Sequence, residues 1–495
     1  MEEIWGIGIE NEIYLQYENA IILKGSEIFN KLGRERYSID YRENYKEGIL
    51  KLLVEKGFQK DDYYFVFEML NSHCFDKTDD NFNHKTLYQK DTPPNPDFKG
   101  KTILEILNDE LGEDTKNSFS DRMKSSGAIF FDGDSIEFIT KYFENVSVNQ
   151  VVNELNYTKE EFLKAINSTN IFKGQKLHYP EYNVGLNMFK TSSSIVLFNN
   201  GTYHFHITLP TQTIHRHISD YPLFKEKHIS AVYMLQWFEP FFISILGSPD
   251  IFHVLSEKTG MEIVLSGGSM RNTMSRYIGI GTYHKSMKNG KILTMKLEEF
   301  KKYLHIDEEK WWRTMVKNNM SYNLPKDEIG LDFNINKQYQ SGFEFRIFDY
   351  FPHKYLENVL LCILLICVDS QRNEQVEWCT DDEVWNLVTY KSLCYGYEAQ
   401  LTENEKKHIL KKLYIKEKYY KQFEYTNSFE DFFFGLIRIF YQKYSKDSEI
   451  IKKMVGKKFD LPIFSNFNKE QKQYHARQLS SLSQLFNLST YTFNN

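Results

Sequence analysis

The sequence is poor in cysteine, and its cysteines show no paired spacing. Five occur in 495 residues, and none of them belongs to a CxxC pair. An odd number in a large chain argues against a disulfide framework and predicts a reducing, cytoplasmic location. The five are Cys74, Cys362, Cys367, Cys379 and Cys394.

Long basic runs are also lacking, and the formal net charge is only −6. Domains that bind nucleic acid typically concentrate lysine and arginine on one face or in one segment. We therefore expect no nucleic-acid partner for the main activity.

No apolar run is long and pure enough to predict a membrane span, which needs roughly 20 residues. The best candidates are residues 229–247, which include Glu239 and Pro240, and residues 355–368, which include Glu357. We predict two buried helices, the first with a break at Pro240, and no membrane partner. The N-terminus is acidic and leads directly into a strand pattern, so no signal peptide is expected.

What the chain does have is ample apolar material, 41% of its residues. That content suffices for a sizeable core. At this length we expect either one large domain with additions or two to three domains.

The most informative stretch is residues 6–15, which alternate like a strand. Isoleucines at odd positions share one face, and Glu10 and Glu12 share the other. Two neighbouring carboxylates repel each other, and burying them unpaired is costly. Bound Mg²⁺ or Mn²⁺ would remove that cost, because these cations prefer oxygen ligands. An edge strand with a solvated acidic face is the structural alternative.

A second strand pattern covers residues 201–210 and places His204 and His206 on one face. We expect Pro210 to end this strand. A buried structural histidine remains the alternative for His204. Histidines at this spacing with carboxylates also occur in transition-metal hydrolases, although several glutamates favour harder cations.

A third pattern covers residues 342–349 and places Glu344 and Arg346 on one face. Phe343, Phe345 and Ile347 are expected on the other. Three strands with apolar backs and functional fronts predict a single sheet that cups a charged ligand.

Further candidates are less specific. Glu68 lies in an aromatic strand pattern at residues 63–70, and Glu137 lies in a strand pattern at residues 135–140. Arg271 and Arg276 lie in glycine-rich stretches, where backbone amides and guanidinium groups can approach phosphate closely. The alternatives are a strand-end charge for Glu68 and plain surface loops for the arginines.

Helix signals are strongest late in the chain. Two capping-box patterns occur, at residues 158–161 before a helix at 162–166 and at residues 402–405 before a helix at 409–420. From residue 355 onward the pattern is mostly helical. Residues 73–126 are polar and irregular and suggest a lid-like insertion.

The order of these motifs resembles a known family. The sequence has GxExE at residues 8–12, DGDSIEFIT at 132–140, the glycine-led HxH strand, the arginine-containing glycine loop and FEFRIF at 343–348. Together they are similar to the carboxylate–amine ligases of the glutamine-synthetase-like superfamily, and most to its glutamate–cysteine ligase and amidoligase branch. The resemblance covers about residues 4–350.

The resemblance implies an α+β fold in which a curved antiparallel sheet, packed with helices, forms a funnel for ATP and several Mg²⁺ (or Mn²⁺) ions. Residues 1–354 would form the ligase domain, with 73–126 inserted, and residues 355–495 a helical C-terminal region. The implied metal ligands are Glu10, Glu12, Glu68, Glu137, His206 and Glu344. The implied nucleotide-binding residues are His204, His206, Arg271, Arg276 and Arg346. The implied catalytic residues are Arg276, Glu344 and Arg346.

The implied activity is ATP-dependent amide or peptide-like bond formation through an acyl phosphate. The acid would be glutamate or a peptide or protein carboxylate, and an amine would be the second substrate. Two alternatives remain open at this point: a phosphotransferase on the same fold, and a non-catalytic nucleotide-binding or scaffold protein.

Overall fold

A computed structural model gives the chain an α+β fold in which helices pack on antiparallel sheets. The structure describes residues 2–13, 15–24, 64–70, 129–132, 135–141, 143–168, 176–179, 201–215, 217–248, 267–269, 333–335, 342–372, 376–377, 379, 382–444, 449–456 and 470. Several predictions lie outside these residues: the insertion at 73–126 and the roles of Arg271 and Arg276.

The described strands form two sheets. They are β1 (Glu2–Ile13), β2 (Leu15–Lys24), β3 (Tyr64–Leu70), β4 (Ile129–Asp132), β5 (Ser135–Ile139), β6 (Leu177–His178), β7 (Thr202–Ile214), β8 (His217–Ile218), β9 (Phe333–Ile335) and β10 (Phe343–Asp349). The main sheet has the order β4-β5-β1-β7-β10-β9, with β8 beside β7, and the smaller sheet has the order β3-β2-β6. The three strands with functional fronts are therefore direct neighbours, as predicted.

The described helices lie mostly in the second half. They are α1 (Val148–Ser168), α2 (Tyr221–Leu246), α3 (Leu356–Ser370), α4 (Glu383–Tyr395), α5 (Glu403–Lys412), α6 (Phe429–Tyr444) and α7 (Glu449–Val455). Short 3-10 helices occur at His353–Tyr355, Gly396–Glu398 and Glu417–Phe423. The prediction of a helical C-terminal region is confirmed for the described residues.

Strand β1 differs from the prediction at both ends. It begins at Glu2 and ends at Ile13, and Leu15 begins β2 of the other sheet. Ile7, Ile9 and Ile13 are fully buried, which confirms the apolar face.

Pro210 does not end its strand, because β7 continues to Ile214. Gly6 lies opposite Thr208 and Ile4 opposite Thr211, so β7 carries one extra residue at this point. A bulge frees one residue from the ladder, and a proline without an N–H group is tolerated there.

The capping box predicted at residues 158–161 is wrong. Helix α1 begins ten residues earlier, and Thr158 lies inside it, donating its hydroxyl to the Glu154 carbonyl at 3.1 Å. The start is instead fixed by Ser147, whose backbone N–H donates to the Gln150 side chain at 2.9 Å. Serine followed three residues later by glutamine is itself a capping signal.

The predicted break at Pro240 is also wrong, because α2 passes through it. Pro240 lacks the N–H that would bind the Gln236 carbonyl four residues earlier. The buried Trp385 indole of α4 donates to that carbonyl instead, at 2.9 Å. A side chain from another helix thus replaces the missing helical hydrogen bond.

The second capping box is confirmed, with Thr402 and Glu405 bonded reciprocally. Its helix, α5, ends at Lys412 rather than near residue 420. Tyr414 adopts a positive φ of 52°, which a right-handed helix does not accommodate, and the chain continues as a 3-10 helix.

The core lies between the back face of the main sheet and the helices. Phe242 of α2 packs on Phe345 and Phe348 of β10 at ring distances of 6.0 and 5.0 Å, and on Phe433 of α6 at 5.2 Å. By length and composition α2 could span a membrane, but 89% of its most apolar window is buried in the protein. The predicted buried helices thus correspond to α2 and α3.

Candidate functional site

The site is built by the register of β1, β7 and β10. Glu10 lies opposite His204, and His206 lies between Gly8 on one side and Glu344 on the other. Residues opposite one another share a sheet face. Four functional side chains from three strands therefore occupy the front face, away from α1 and α2.

Glu10 lies between the two imidazoles. One carboxylate oxygen is 3.1 Å from His204 Nδ1, and the other is 2.9 Å from His206 Nε2. Burial alone would raise the pKa of Glu10, but His204 and His206 hold it well below its usual range. The carboxylate is therefore ionised although it is buried.

Glu344 is the most buried acid of the group, with a fully buried side chain. Its Oε1 lies 3.3 Å from His204 Nδ1 and 3.1 Å from Arg346 Nη1. Burial would raise the pKa of Glu344, but the Arg346 guanidinium and His204 lower it far below its usual range. Two buried carboxylates thus carry charge side by side.

A bulge in β10 places Phe345 and Phe348 on the same face of the sheet. The register shifts between Phe345 and Phe348, so that both phenylalanines face the back of the sheet. Their rings pack edge to face at 5.1 Å. The alternation predicted for residues 343–347 therefore ends before Phe348, which joins the core face.

Glu10, His206 and Glu344 form a group that could hold a metal ion. Each offers one ligand atom, and these atoms lie within 4.8 Å of one another. The Nε2 atom of His206 lies 2.9 Å from Glu10 Oε1 and 3.8 Å from Glu344 Oε1, and its Nδ1 has no hydrogen-bond partner among the described residues. Two ionised carboxylates and an imidazole that converge this closely are expected where a cation completes the site.

These side chains form a cluster that extends to Glu12. This residue lies opposite Glu137 of β5, and its Oε1 is 3.7 Å from His204 Nε2. The Glu12 side chain is 16% exposed and that of Arg346 22%, whereas that of Glu344 is fully buried. The cluster therefore opens to solvent at its Glu12 and Arg346 sides.

Glycine is required where β7 begins. Gly201 has a φ of +85°, and a Cβ there would lie 2.3 Å from the carbonyl oxygen of Glu12. The glycine before the histidine strand thus allows β7 to approach β1 closely enough to bring His204 to Glu10.

No family model matches the chain. An uncharacterized protein of Acanthamoeba polyphaga mimivirus is 37% identical to it over 388 residues. The aligned region covers 76% of this chain and 65% of that protein, so the chain spans less than two thirds of its relative's length.

The structure brings together most of the predicted site residues, but not all. Glu68 lies on β3 in the smaller sheet, not among the strands of the cluster, and its side chain is outside the described residues. Arg271 and Arg276 are outside them as well. The described cluster consists of Glu10, Glu12, His204, His206, Glu344 and Arg346, with Glu137 opposite Glu12.

Sequence reasoning missed one residue behind the cluster, Lys159 of α1. The buried positions of this helix follow helical spacing, and Lys159 occupies one of them. A lysine at a position where the pattern requires an apolar residue was the available signal.

Proposed function

We propose that the protein is an ATP- and Mg²⁺-dependent carboxylate–amine ligase with a glutamine-synthetase-like sheet around its site. The observation that supports this most directly is the convergence of Glu10, His206 and Glu344 on one sheet face, with Arg346 beside them. Hard divalent cations prefer such carboxylate-rich surroundings. The acid substrate would be glutamate or a peptide or protein carboxylate.

The residues of the chain have distinct roles in this proposal. Glu10, His206 and Glu344 would hold one cation, and Glu12 with Glu137 would provide carboxylates toward the open side. Arg346 would bind the oxygens of the phosphoryl group as their charge develops. Bound ATP would supply the phosphoryl group that activates the acid, after which the amine displaces phosphate to give the amide.

The proposal is tested with hydroxylamine as acceptor, because it converts an acyl phosphate into a stable hydroxamate and free phosphate. We expect ADP and hydroxamate to form only with ATP, Mg²⁺ and a suitable acid, drawn from glutamate and short peptides. Glu10→Gln, Glu12→Gln and Arg346→Ala should each lower turnover about 100-fold or more. Circular dichroism should show that the fold is kept.

Glu3→Gln is the matched control, because Glu3 lies on the same strand but is exposed and outside the cluster. It should leave turnover unchanged. If all three site variants kept turnover, the site assignment would be wrong. ADP release that needs no amine and gives no hydroxamate would indicate a phosphotransferase, and nucleotide binding without ADP release a non-catalytic protein.

A further inference from the structure

A buried lysine lies directly behind the cluster. Lys159 of α1 is 3% exposed, and its Nζ donates to the Asn11 side-chain oxygen at 2.7 Å. Asn11 stands between Glu10 and Glu12 in the chain and points to the opposite face of β1. The amine thus binds the strand between two acids of the cluster.

Asn11 also connects Lys159 to β7. Its side-chain amide donates to the Thr202 carbonyl at 3.1 Å and lies 3.4 Å from the carbonyl oxygen of Glu12. Thr202 is the register partner of Glu12. Lys159 and Asn11 therefore connect α1 to the point where the carboxylate strand meets the histidine strand.

Aromatic rings hold the amine in place. The Nζ atom lies 4.6 Å from the ring centre of Tyr179 and 5.9 Å from those of Tyr203 and Tyr350. Tyr203 precedes His204, and Tyr350 follows β10. The lysine therefore contacts β1 through Asn11, β7 through Tyr203 and the residue that follows β10, from behind the cluster.

A buried lysine in this position is unfavourable if its only role is to stabilise the fold. Burial lowers the pKa of Lys159 to about 7, because the charged amine has lost its water. An apolar side chain at this position of α1 would complete the helix's buried face without that cost.

We propose that Lys159 is a positioning residue, which holds Asn11 and thereby fixes the spacing of Glu10 and Glu12 around a cation. This inference rests on the cation site of the proposed function. Residues that orient metal ligands from outside the ligand set typically change metal affinity by about 10–100-fold when they are lost.

The test measures Mn²⁺ binding to the full chain directly, by electron paramagnetic resonance and by calorimetry. Lys159→Met keeps the length of the side chain but loses its donors, and should weaken Mn²⁺ binding about tenfold. Lys159→Gln keeps a donor for Asn11 and should restore affinity to within about threefold. Lys164→Met is the matched control on the same helix, because Lys164 is 80% exposed, and it should bind as wild type.

The outcomes separate this inference from the proposed function. A wild-type protein that binds no Mn²⁺ would refute the cation site itself. A wild type that binds, together with a folded Lys159→Met variant of equal affinity, would overturn only the positioning role. Should Lys159→Met not fold, Asn11→Leu removes the other end of the contact, and wild-type affinity in that folded variant would overturn it equally.

Discussion

At the scale of single residues, the buried histidines His206 and His228 differ in what surrounds their ring nitrogens. His228 is buried between β7 and α2, and both ring nitrogens are bonded: Nε2 accepts from Leu209 N at 2.9 Å, and Nδ1 donates to the Phe224 carbonyl at 2.7 Å. His206 is about as buried, but its Nε2 faces carboxylate oxygens of Glu10 at 2.9 Å and Glu344 at 3.8 Å, and its Nδ1 has no hydrogen-bond partner among the described residues. An imidazole nitrogen directed at two carboxylates is the arrangement expected of a residue that shares a cation with them.

The same contrast predicts how acid affects the fold. Burial, aided by nearby Lys227, lowers the pKa of His228 to about 4. As the pH falls below 6.5, the unfolded chain takes up a proton that the folded chain does not, so the free energy of unfolding decreases. Down to pH 4 the loss from this residue is about 3 kcal/mol.

His228→Gln tests this, because the glutamine carbonyl accepts from Leu209 N and does not titrate. Its unfolding free energy should fall less between pH 7 and pH 4.5 than that of the wild type, in urea titrations. The exposed His217→Gln serves as control and should keep the wild-type dependence. An unchanged pH dependence in His228→Gln would contradict the assignment.

At the scale of elements, local periodicity predicts some features and distant partners decide others. The faces of β1, β5 and β7 follow from alternation alone, since residues two apart share a face whatever lies around them. The continuity of α2 does not, because the group that replaces the hydrogen bond lost at Pro240 belongs to Trp385, 149 residues from Gln236. Similarly, the sequence alone does not show that Glu10 and Glu344 lie close together. They do so because β7 pairs with both of their strands.

The contact between α2 and α4 gives a prediction for Pro240. Trp385→Phe removes the indole donor and leaves the Gln236 carbonyl buried without its partner, which costs about 1–3 kcal/mol, apart from the loss of ring volume. In a Pro240→Ala background the alanine N–H can donate to the same carbonyl. We therefore expect Trp385→Phe to cost about 1 kcal/mol less in that background, as measured by a double-mutant cycle of urea unfolding. Strictly additive effects would show that the indole does not substitute for the helical bond.

At the scale of the whole molecule, the main sheet divides the protein into two environments. Its back is apolar and covered by α1 and α2, with Phe162 of α1 packed on Phe138 at 5.3 Å. Its front gathers acids and imidazoles on three adjacent strands. Because the core sits behind these strands, their backbones are fixed while the charged front keeps a path to solvent at Glu12 and Arg346.

This division predicts that a divalent cation stabilises the whole fold. Glu10 and Glu344 are both buried and ionised, and a cation that binds only the folded state adds about 2.7 kcal/mol at one hundred times its Kd. Melting should therefore occur at higher temperature with Mn²⁺ or Mg²⁺ than with EDTA.

Glu10→Gln should lose most of this increase, because it removes one ligand, whereas Glu3→Gln on the same strand should keep it. An equal increase in both variants would place the stabilising cation elsewhere, and no increase in the wild type would mean that the carboxylates are held by His204, His206 and Arg346 alone.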